Sequence, residues 1–314
     1  MLAAFFATLR SRWTRGPLRP SWSFGMELIV RFLRGDWDDT ASWSLPRLRA
    51  DQDARPTPRA NLRKVEIRDE ELGGVPARWF IPTGASEDAA IFYLHGGSYA
   101  YGSARTTHAD TIARLALASG VRAVGIDYRL APEHPYPAQL EDAMRAYQAL
   151  APRVKHLIVA GDSAGGNLAI LLQIHLRDQG VPQGRASVLI SPWSDLTMPA
   201  RSFQDNDPYD FGTREVLLTQ ARAFAGMIAL DDPRLSPVRA QLEGLAPTFV
   251  SVGTAEIPRD DILTLADRLE RAGVEVTRHV VEDAPHFAPI FADYHEGSAA
   301  CVEAIARFVR ARLE

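Results

Sequence analysis

The residue best suited to act as a nucleophile is Ser163, at the centre of a Gly-x-Ser-x-Gly pattern over residues 161–165. The pattern follows the apolar stretch Leu157–Ala160, a predicted strand, and opens the predicted helix Gly165–Gln179. A nucleophile elbow needs this order, because a tight strand-to-helix turn exposes the serine hydroxyl at the helix N-terminus. The alternative is a helix N-cap serine without a chemical role. The setting favours a nucleophile.

A serine hydroxyl needs a general base, and His286 is the candidate. It lies between the predicted strand Glu275–Val281 and the predicted helix Tyr294–Leu313, late in the chain. This position fits the chain order serine, acid, histidine. His279 falls within the strand and His295 at the start of the helix, so both are weaker candidates.

An oxyanion needs backbone N–H donors close to the nucleophile. One donor should be Ala164, the residue after the serine. A second source is the turn His95–Tyr99 (His-Gly-Gly-Ser-Tyr), which follows the predicted strand Ala89–Leu94. Gly96 and Gly97 are the predicted donors in this turn, because glycine lets the backbone approach a substrate oxygen.

The elements that must position these residues alternate between strand and helix from residue 63 onward. The stretches 63–69 and 75–81 predict an antiparallel entry hairpin, and the later strands are separated by helices. Such alternation predicts an α/β fold with a mostly parallel sheet covered by helices on both faces. Residues 194–240 interrupt it and predict an insertion at the carboxyl edge of the sheet. Residues 36–62 predict a polar linker.

The first 35 residues predict an amphipathic arm. They contain six arginines and one acid, Glu27, and the stretch Glu27–Leu33 reads as a half-buried helix. We expect the arm to pack on the protein's own body, with contact to a membrane surface as the alternative. The apolar start is too short for a membrane span and lacks the features of a signal peptide, so we expect a cytoplasmic protein.

Composition excludes several classes of chemistry. The chain has 314 residues, a formal net charge of -4 and one cysteine, Cys301. No internal disulfide or cysteine-rich metal site can form. The chain has only two lysines and neither follows a glycine, which excludes a Walker A loop. It has no Gly-x-Gly pair, which excludes the dinucleotide fingerprint. We therefore expect no cofactor, no metal and no nucleic-acid partner.

The motifs together resemble the hormone-sensitive-lipase-like family of esterases, bacterial family IV of the α/β hydrolases. The matching stretches are His95–Tyr99, Asp127–Ala138, Gly161–Gly166, Ser191–Leu196 and the region around His286. The resemblance implies an α/β-hydrolase fold with a discontinuous helical cap. It divides the chain into a cap, residues 1–50 and 194–240, and a catalytic domain, residues 51–193 and 241–314.

Two positions depart from the family pattern. Ser98 stands where a third glycine is usual, and whether its N–H joins the oxyanion hole is open. The usual Asp-Pro-Leu-Arg-Asp reads Glu256-Ile-Pro-Arg-Asp260 here, which aligns Glu256 with the triad acid. Asp260 and then Asp261 are the alternatives, although helix N-terminal capping explains both of them.

The resemblance implies a serine carboxylesterase acting on short- to medium-chain esters, with a small-molecule ester as its ligand. An arylformamidase-type amidase and a non-catalytic small-molecule receptor are the alternatives, and the chain could act as a monomer or a homodimer. Aromatic residues that could line the substrate pocket, or belong to the core, are Tyr99, Trp193, Phe203, Phe211 and Phe287.

Overall fold

The computed structural model describes residues 2–55 and 60–313. Its centre is an eight-stranded sheet in the order β1-β2-β4-β3-β5-β6-β7-β8. The strands are β1 Val65–Leu72, β2 Val75–Pro82, β3 Ala89–Leu94, β4 Ala123–Ile126, β5 His156–Asp162, β6 Ala186–Ile190, β7 Thr248–Gly253 and β8 Val276–Val281. β2 is antiparallel to β1 and to β4, and the remaining pairs are parallel. The predicted α/β-hydrolase architecture is confirmed.

The helices lie between the strands and at the N-terminus. They are α1 Leu2–Arg15, α2 Phe24–Thr40, α3 Leu45–Ala54, α4 Ala109–Ser119, α5 Ala138–Leu150, α6 Ala164–Asp178, α7 Ser202–Asp205, α8 Arg214–Ala225, α9 Arg259–Arg271 and α10 Glu296–Ala311. Within the described ranges, none of them is long and apolar enough to cross a membrane.

The core forms on both faces of the sheet. Along β3, Phe92 and Leu94 belong to one buried apolar cluster, while Ile91 and Tyr93 belong to the other. This is the alternation of a strand whose two faces are both covered, and it explains why β3 reads as an uninterrupted apolar run.

The register of the parallel strands sets the geometry of one sheet edge. Leu94 of β3 pairs with Gly161 of β5, so the turn after β3 lies beside the turn after β5. Gly253 of β7 pairs with Val281 of β8, so the loops after these two strands also lie side by side. The carboxyl edge therefore gathers the four loops that carry the predicted site residues.

The prediction of a polar linker over residues 36–62 was wrong. α2 continues to Thr40 and α3 covers Leu45–Ala54, while residues 56–59 lie outside the described part of the chain. α3 buries none of its residues, so it carries little of the apolar periodicity that reveals a helix. Ion pairs hold it instead, because Arg55 binds Asp36 at 2.8 Å and also pairs with Asp51.

The N-terminal arm packs on the body through its second part. Trp22, Met26 and Val30 are buried in one apolar cluster with Phe291, and Trp22 Nε1 donates to the Asp283 carbonyl at 2.6 Å. Glu27, the one acid of the arm, is buried and accepts from Arg12 and Arg31. The half-buried helix predicted over 27–33 is thus part of α2.

Candidate active site

Ser163 occupies a strained turn between β5 and α6. Its φ of 52° and ψ of -120° are unfavourable for a residue with a side chain. The turn is held from both sides, because Ser163 N donates to the Ile190 carbonyl at 2.9 Å and Trp193 N donates to the Ser163 carbonyl at 2.9 Å. Gly161 and Gly165 pass so close to neighbouring backbone that a Cβ at either position would overlap it. This is the geometry of a nucleophile elbow.

Glu256 and His286 meet across the loops after β7 and β8. Glu256 Oε2 lies 2.8 Å from His286 Nδ1. The other carboxylate oxygen, Oε1, accepts from Gly253 N at 2.6 Å and from Ser191 Oγ at 3.1 Å. The acid is thus fixed by three hydrogen bonds and faces the imidazole nitrogen that a triad acid must orient.

The two alternative acids lie elsewhere. Asp260 is in the first turn of α9, where it is partly exposed and binds Arg259 at 2.7 Å. Asp261 is buried in the same turn, and burial raises its pKa to about 7. The structure therefore brings Glu256 to His286 and keeps Asp260 and Asp261 in the first turn of α9, where acidic residues favour the helix dipole.

The electrostatics favour a cationic intermediate on His286. Burial lowers the pKa of His286, but the hydrogen bond and charge of Glu256, with the charges of Asp210 and Asp162, outweigh it and raise the pKa overall. Burial raises the pKa of Glu256, and the contact with His286 opposes that rise. The site can accept a proton from a serine hydroxyl and stabilise the resulting imidazolium.

The turn after β3 lies against the elbow, but Gly96 differs from its predicted role. Gly96 N donates to Asp162 Oδ1 at 3.1 Å, so this N–H is already engaged and is not free for an oxyanion. Gly97 has a φ of 107° and Ser98 a φ of 52°, and both line the cavity. Among the described residues, the N–H groups of Gly97 and Ser98 have no hydrogen-bond acceptor. They are the donors that this turn can offer beside Ala164.

Asp162 ties the oxyanion turn to the elbow, and the sequence analysis missed it. This buried carboxylate accepts from Tyr93 Oη at 2.7 Å as well as from Gly96 N, and it lies 3.2 Å from His108 Nε2. Burial opposes ionisation, but the charge and hydrogen bond of His108 outweigh it, so the pKa of Asp162 is lowered. Its position inside the Gly-x-Ser-x-Gly pattern was the available signal.

His95 braces the turn. Its Nδ1 lies 2.7 Å from the Gly96 carbonyl, and its ring stacks on Tyr128 at a centroid distance of 4.3 Å. Burial and the neighbouring His108 lower the pKa of His95 to about 4, which keeps the ring neutral.

A cavity of about 640 Å³ opens over Ser163 and His286. Four of the predicted pocket residues line it: Trp193, Phe203, Phe211 and Phe287. Tyr99 is a correction, because it is buried in the core, stacked on Phe224 at 3.7 Å, with its hydroxyl on Asn167. Its neighbour Tyr101 lines the cavity instead.

Both segments of the predicted cap contribute to the cavity wall. The arm supplies Phe32, Leu33 and Trp37 of α2, and the insertion supplies Phe203 and Leu217 among others. The arm is tied to the insertion by Arg34, whose Nη1 donates to the Asp207 carbonyl at 2.9 Å. The sequence analysis did not assign the α2 residues, because their apolar character fits core packing equally well.

The chain is similar to known proteins both in sequence and in structure. The family described as alpha/beta hydrolase fold matches residues 91–289. An esterase of Acinetobacter venetianus is 36% identical over 222 residues, covering 68% of this chain and 71% of the relative. An acetyl-hydrolase of Streptomyces hygroscopicus is 35% identical over 252 residues, covering 76% of this chain and 81% of the relative.

Solved structures of esterases share the fold. EstE5, in a crystal soaked with p-nitrophenyl butyrate, is 30% identical with a TM-score of 0.83, covering 90% of this chain and 97% of EstE5. An esterase of the bacterial hormone-sensitive lipase family is 31% identical with a TM-score of 0.78, covering 100% of this chain and 98% of the other.

Proposed function

We propose, since this chain belongs to the hormone-sensitive-lipase-like family of α/β-hydrolase esterases, that it acts through an acyl-enzyme on Ser163. The chain is a carboxylic ester hydrolase, as its relatives are. The observation that carries the mechanism is the 2.8 Å contact of Glu256 with His286 at the cavity that also exposes Ser163.

In this mechanism, His286 Nε2 takes the proton of Ser163 as its hydroxyl attacks the ester carbonyl. Substrate binding would draw these two side chains into hydrogen-bond contact, as catalytic bonds often tighten in the Michaelis complex. Glu256 holds the imidazole and stabilises its cation. His286 then protonates the leaving alcohol, and a water activated by the same histidine releases the acid and regenerates Ser163.

The oxyanion would be held by the N–H groups of Gly97, Ser98 and Ala164. Gly96 is left out of this set because Asp162 occupies its N–H. Replacing a glycine by Ser98 preserves a backbone donor, so the departure from the family pattern is compatible with the reaction.

We propose that the cavity binds esters with short acyl chains. An acetyl-hydrolase relative and the p-nitrophenyl butyrate soaked into EstE5 crystals support esters of this size. Residues of 1–50 and 194–240, the segments that we assign to the cap, line the cavity of about 640 Å³ above Ser163. A bulky acyl chain would have to displace aromatic side chains such as Phe203 and Phe211.

A fluorophosphonate probe and an acyl-chain series test this function. We expect the probe to label the wild type but not Ser163→Ala, and kcat/KM to be higher for p-nitrophenyl acetate and butyrate than for the palmitate ester. An unlabelled wild type would refute the acyl-enzyme. Faster hydrolysis of N-formyl aromatic amides than of these esters would instead support the amidase.

A further inference from the structure

Three buried polar side chains of the insertion contact the loops that carry Glu256 and His286. They are Ser202, Asn206 and Asp210, spaced four residues apart around the short helix α7. Asp210 also lines the cavity, and burying polar groups such as these is costly unless they are hydrogen-bonded.

Two of the three bind the loop after β7. Asn206 Nδ2 donates to the Glu256 carbonyl at 2.7 Å and to the Thr254 carbonyl at 3.1 Å. Ser202 Oγ donates to the Ile257 carbonyl at 2.7 Å and accepts from Asp260 N at 3.2 Å. The backbone on both sides of Glu256 is therefore fixed by the insertion.

Asp210 joins this loop to the loop of the base. Its Oδ2 accepts from Ile257 N, directly after Glu256, at 2.8 Å. Its Oδ1 accepts from the backbone N–H of His286 at 3.2 Å. One buried carboxylate therefore contacts both Ile257, the residue after the acid, and the base His286.

We propose that Ser202, Asn206 and Asp210 are positioning residues that hold Glu256 and His286 in their working geometry. The proposal rests on the triad proposed above. It makes the insertion more than a pocket wall, since moving residues 202–210 would also move the acid and the base. A misplacement of about 1 Å at a catalytic group can cost on the order of 100-fold in rate.

Asp210→Asn is the direct test, because it keeps the shape but replaces one accepting oxygen with a donor. We expect kcat to fall on the order of 100-fold with KM changed much less. The negative groups that face His286 are Glu256, Asp210 and Asp162. Removing one of them lowers the pKa of His286, so the acid limb of the pH–rate profile should move to lower pH. A purely structural role would leave that limb in place.

Asp205→Asn is the matched control. It removes one negative charge from the same segment, residues 202–210, but Asp205 is exposed and pairs with Arg201. We expect its kcat and acid limb to equal those of the wild type. Asn206→Ala removes the hydrogen bonds to the Glu256 and Thr254 carbonyls without changing the charge. We expect kcat to fall about tenfold and the acid limb of the pH–rate profile to stay in place.

The proposal is overturned if Asp210→Asn, shown to be folded by circular dichroism, keeps its kcat and its acid limb, or if Asp205→Asn changes both as strongly. If Asp210→Asn does not fold, an unchanged kcat in Asn206→Ala overturns it. Failure of the triad itself would appear separately, as a wild type that a fluorophosphonate does not label.

A second, independent feature is the outer face of α1. Leu2, Phe6, Leu9 and Trp13 recur at helical spacing and are 76%, 63%, 51% and 90% exposed. α1 contains three arginines and no acid, and Arg10 is exposed beside this stripe, while Arg15 is exposed in the last turn. A helix with an apolar stripe, a tryptophan and flanking arginines is typical of the surface of anionic membranes.

We propose that the face formed by Leu2, Phe6, Leu9 and Trp13 docks on an anionic phospholipid surface. Charge complementarity selects this partner, because Arg10 beside the stripe would lie at the level of the lipid phosphates and α1 carries no acid that would repel them. The body would remain in water, since most apolar side chains of the sheet are buried.

Vesicle co-sedimentation tests this proposal. We expect wild type to pellet with vesicles of equal parts phosphatidylglycerol and phosphatidylcholine and far less with pure phosphatidylcholine. Phe6→Ser with Trp13→Ser should abolish pelleting and retain hydrolysis of a soluble ester. Met227→Ser, which removes a fully exposed apolar side chain elsewhere, is the control and should pellet like wild type. Equal binding to both vesicles, or a dimer that the double variant abolishes, would overturn the proposal.

Discussion

At the scale of single residues, the strain at Ser163 separates its chemical role from its structural one. Ser163→Ala should abolish turnover, because no hydroxyl remains. It should fold like the wild type, because alanine also has a Cβ and the backbone strain at φ 52° is therefore unchanged. Ser163→Gly should also be inactive but more stable than the alanine variant by about 1 kcal/mol, since glycine tolerates positive φ. Ester hydrolysis and thermal unfolding measure the two effects. Turnover near the wild-type rate in either variant would contradict the assignment.

The acid of the triad offers a second test at this scale. Glu256→Gln keeps the shape but removes the charge that holds His286, and we expect kcat to fall by about 10³ to 10⁴. Because that charge raises the pKa of His286, any residual activity should extend to lower pH than in the wild type. Asp260→Asn should change neither, since Asp260 faces Arg259. A pH–rate profile of each variant decides, and the reverse ranking would make Asp260 the acid.

At the scale of elements, strands and helices with strong periodicity could be predicted from the sequence, and α3 and the engagement of the Gly96 N–H could not. β3 has the predicted bounds, Ala89–Leu94, because it is an apolar run with a clear end. Whether the N–H of Gly96 is free for an oxyanion depends on its contact with Asp162. These two residues are 66 positions apart in the sequence, so no local pattern reveals the contact. Asp210 was missed for the same reason.

The aromatic contacts of α2 yield a prediction about substrate size. Trp37 lies edge-on to Tyr101 of the body at 6.4 Å and to Phe211 of the insertion at 6.5 Å. Trp37→Ala should enlarge the cavity, raise KM for the acetate ester and improve kcat/KM for longer acyl chains. Trp13→Ala, on the exposed face of α1, is the control. An acyl-chain series that is identical for both variants would exclude Trp37 from the acyl site.

At the scale of the whole molecule, the two segments that we assign to the cap are separate in sequence but connected in space. Arg34 of the arm donates to the carbonyls of Asp207 and Asp210, and the arm is anchored to the body through Trp22 and Phe291. The arm therefore supports the insertion that in turn contacts the acid and the base. Neither segment would be expected to keep its position without the other.

Deleting residues 2–35 tests this connection. The deletion removes Phe32 and Leu33 from the cavity wall and exposes Phe291, so we expect a higher KM and a lower melting temperature. It also removes Arg34, so kcat should fall as the 202–210 segment loosens. Arg34→Gln isolates that part, because it breaks the tie to Asp207 and leaves the apolar wall in place. If the deletion leaves KM and kcat unchanged, the arm is no part of the cap, and the insertion alone encloses the substrate.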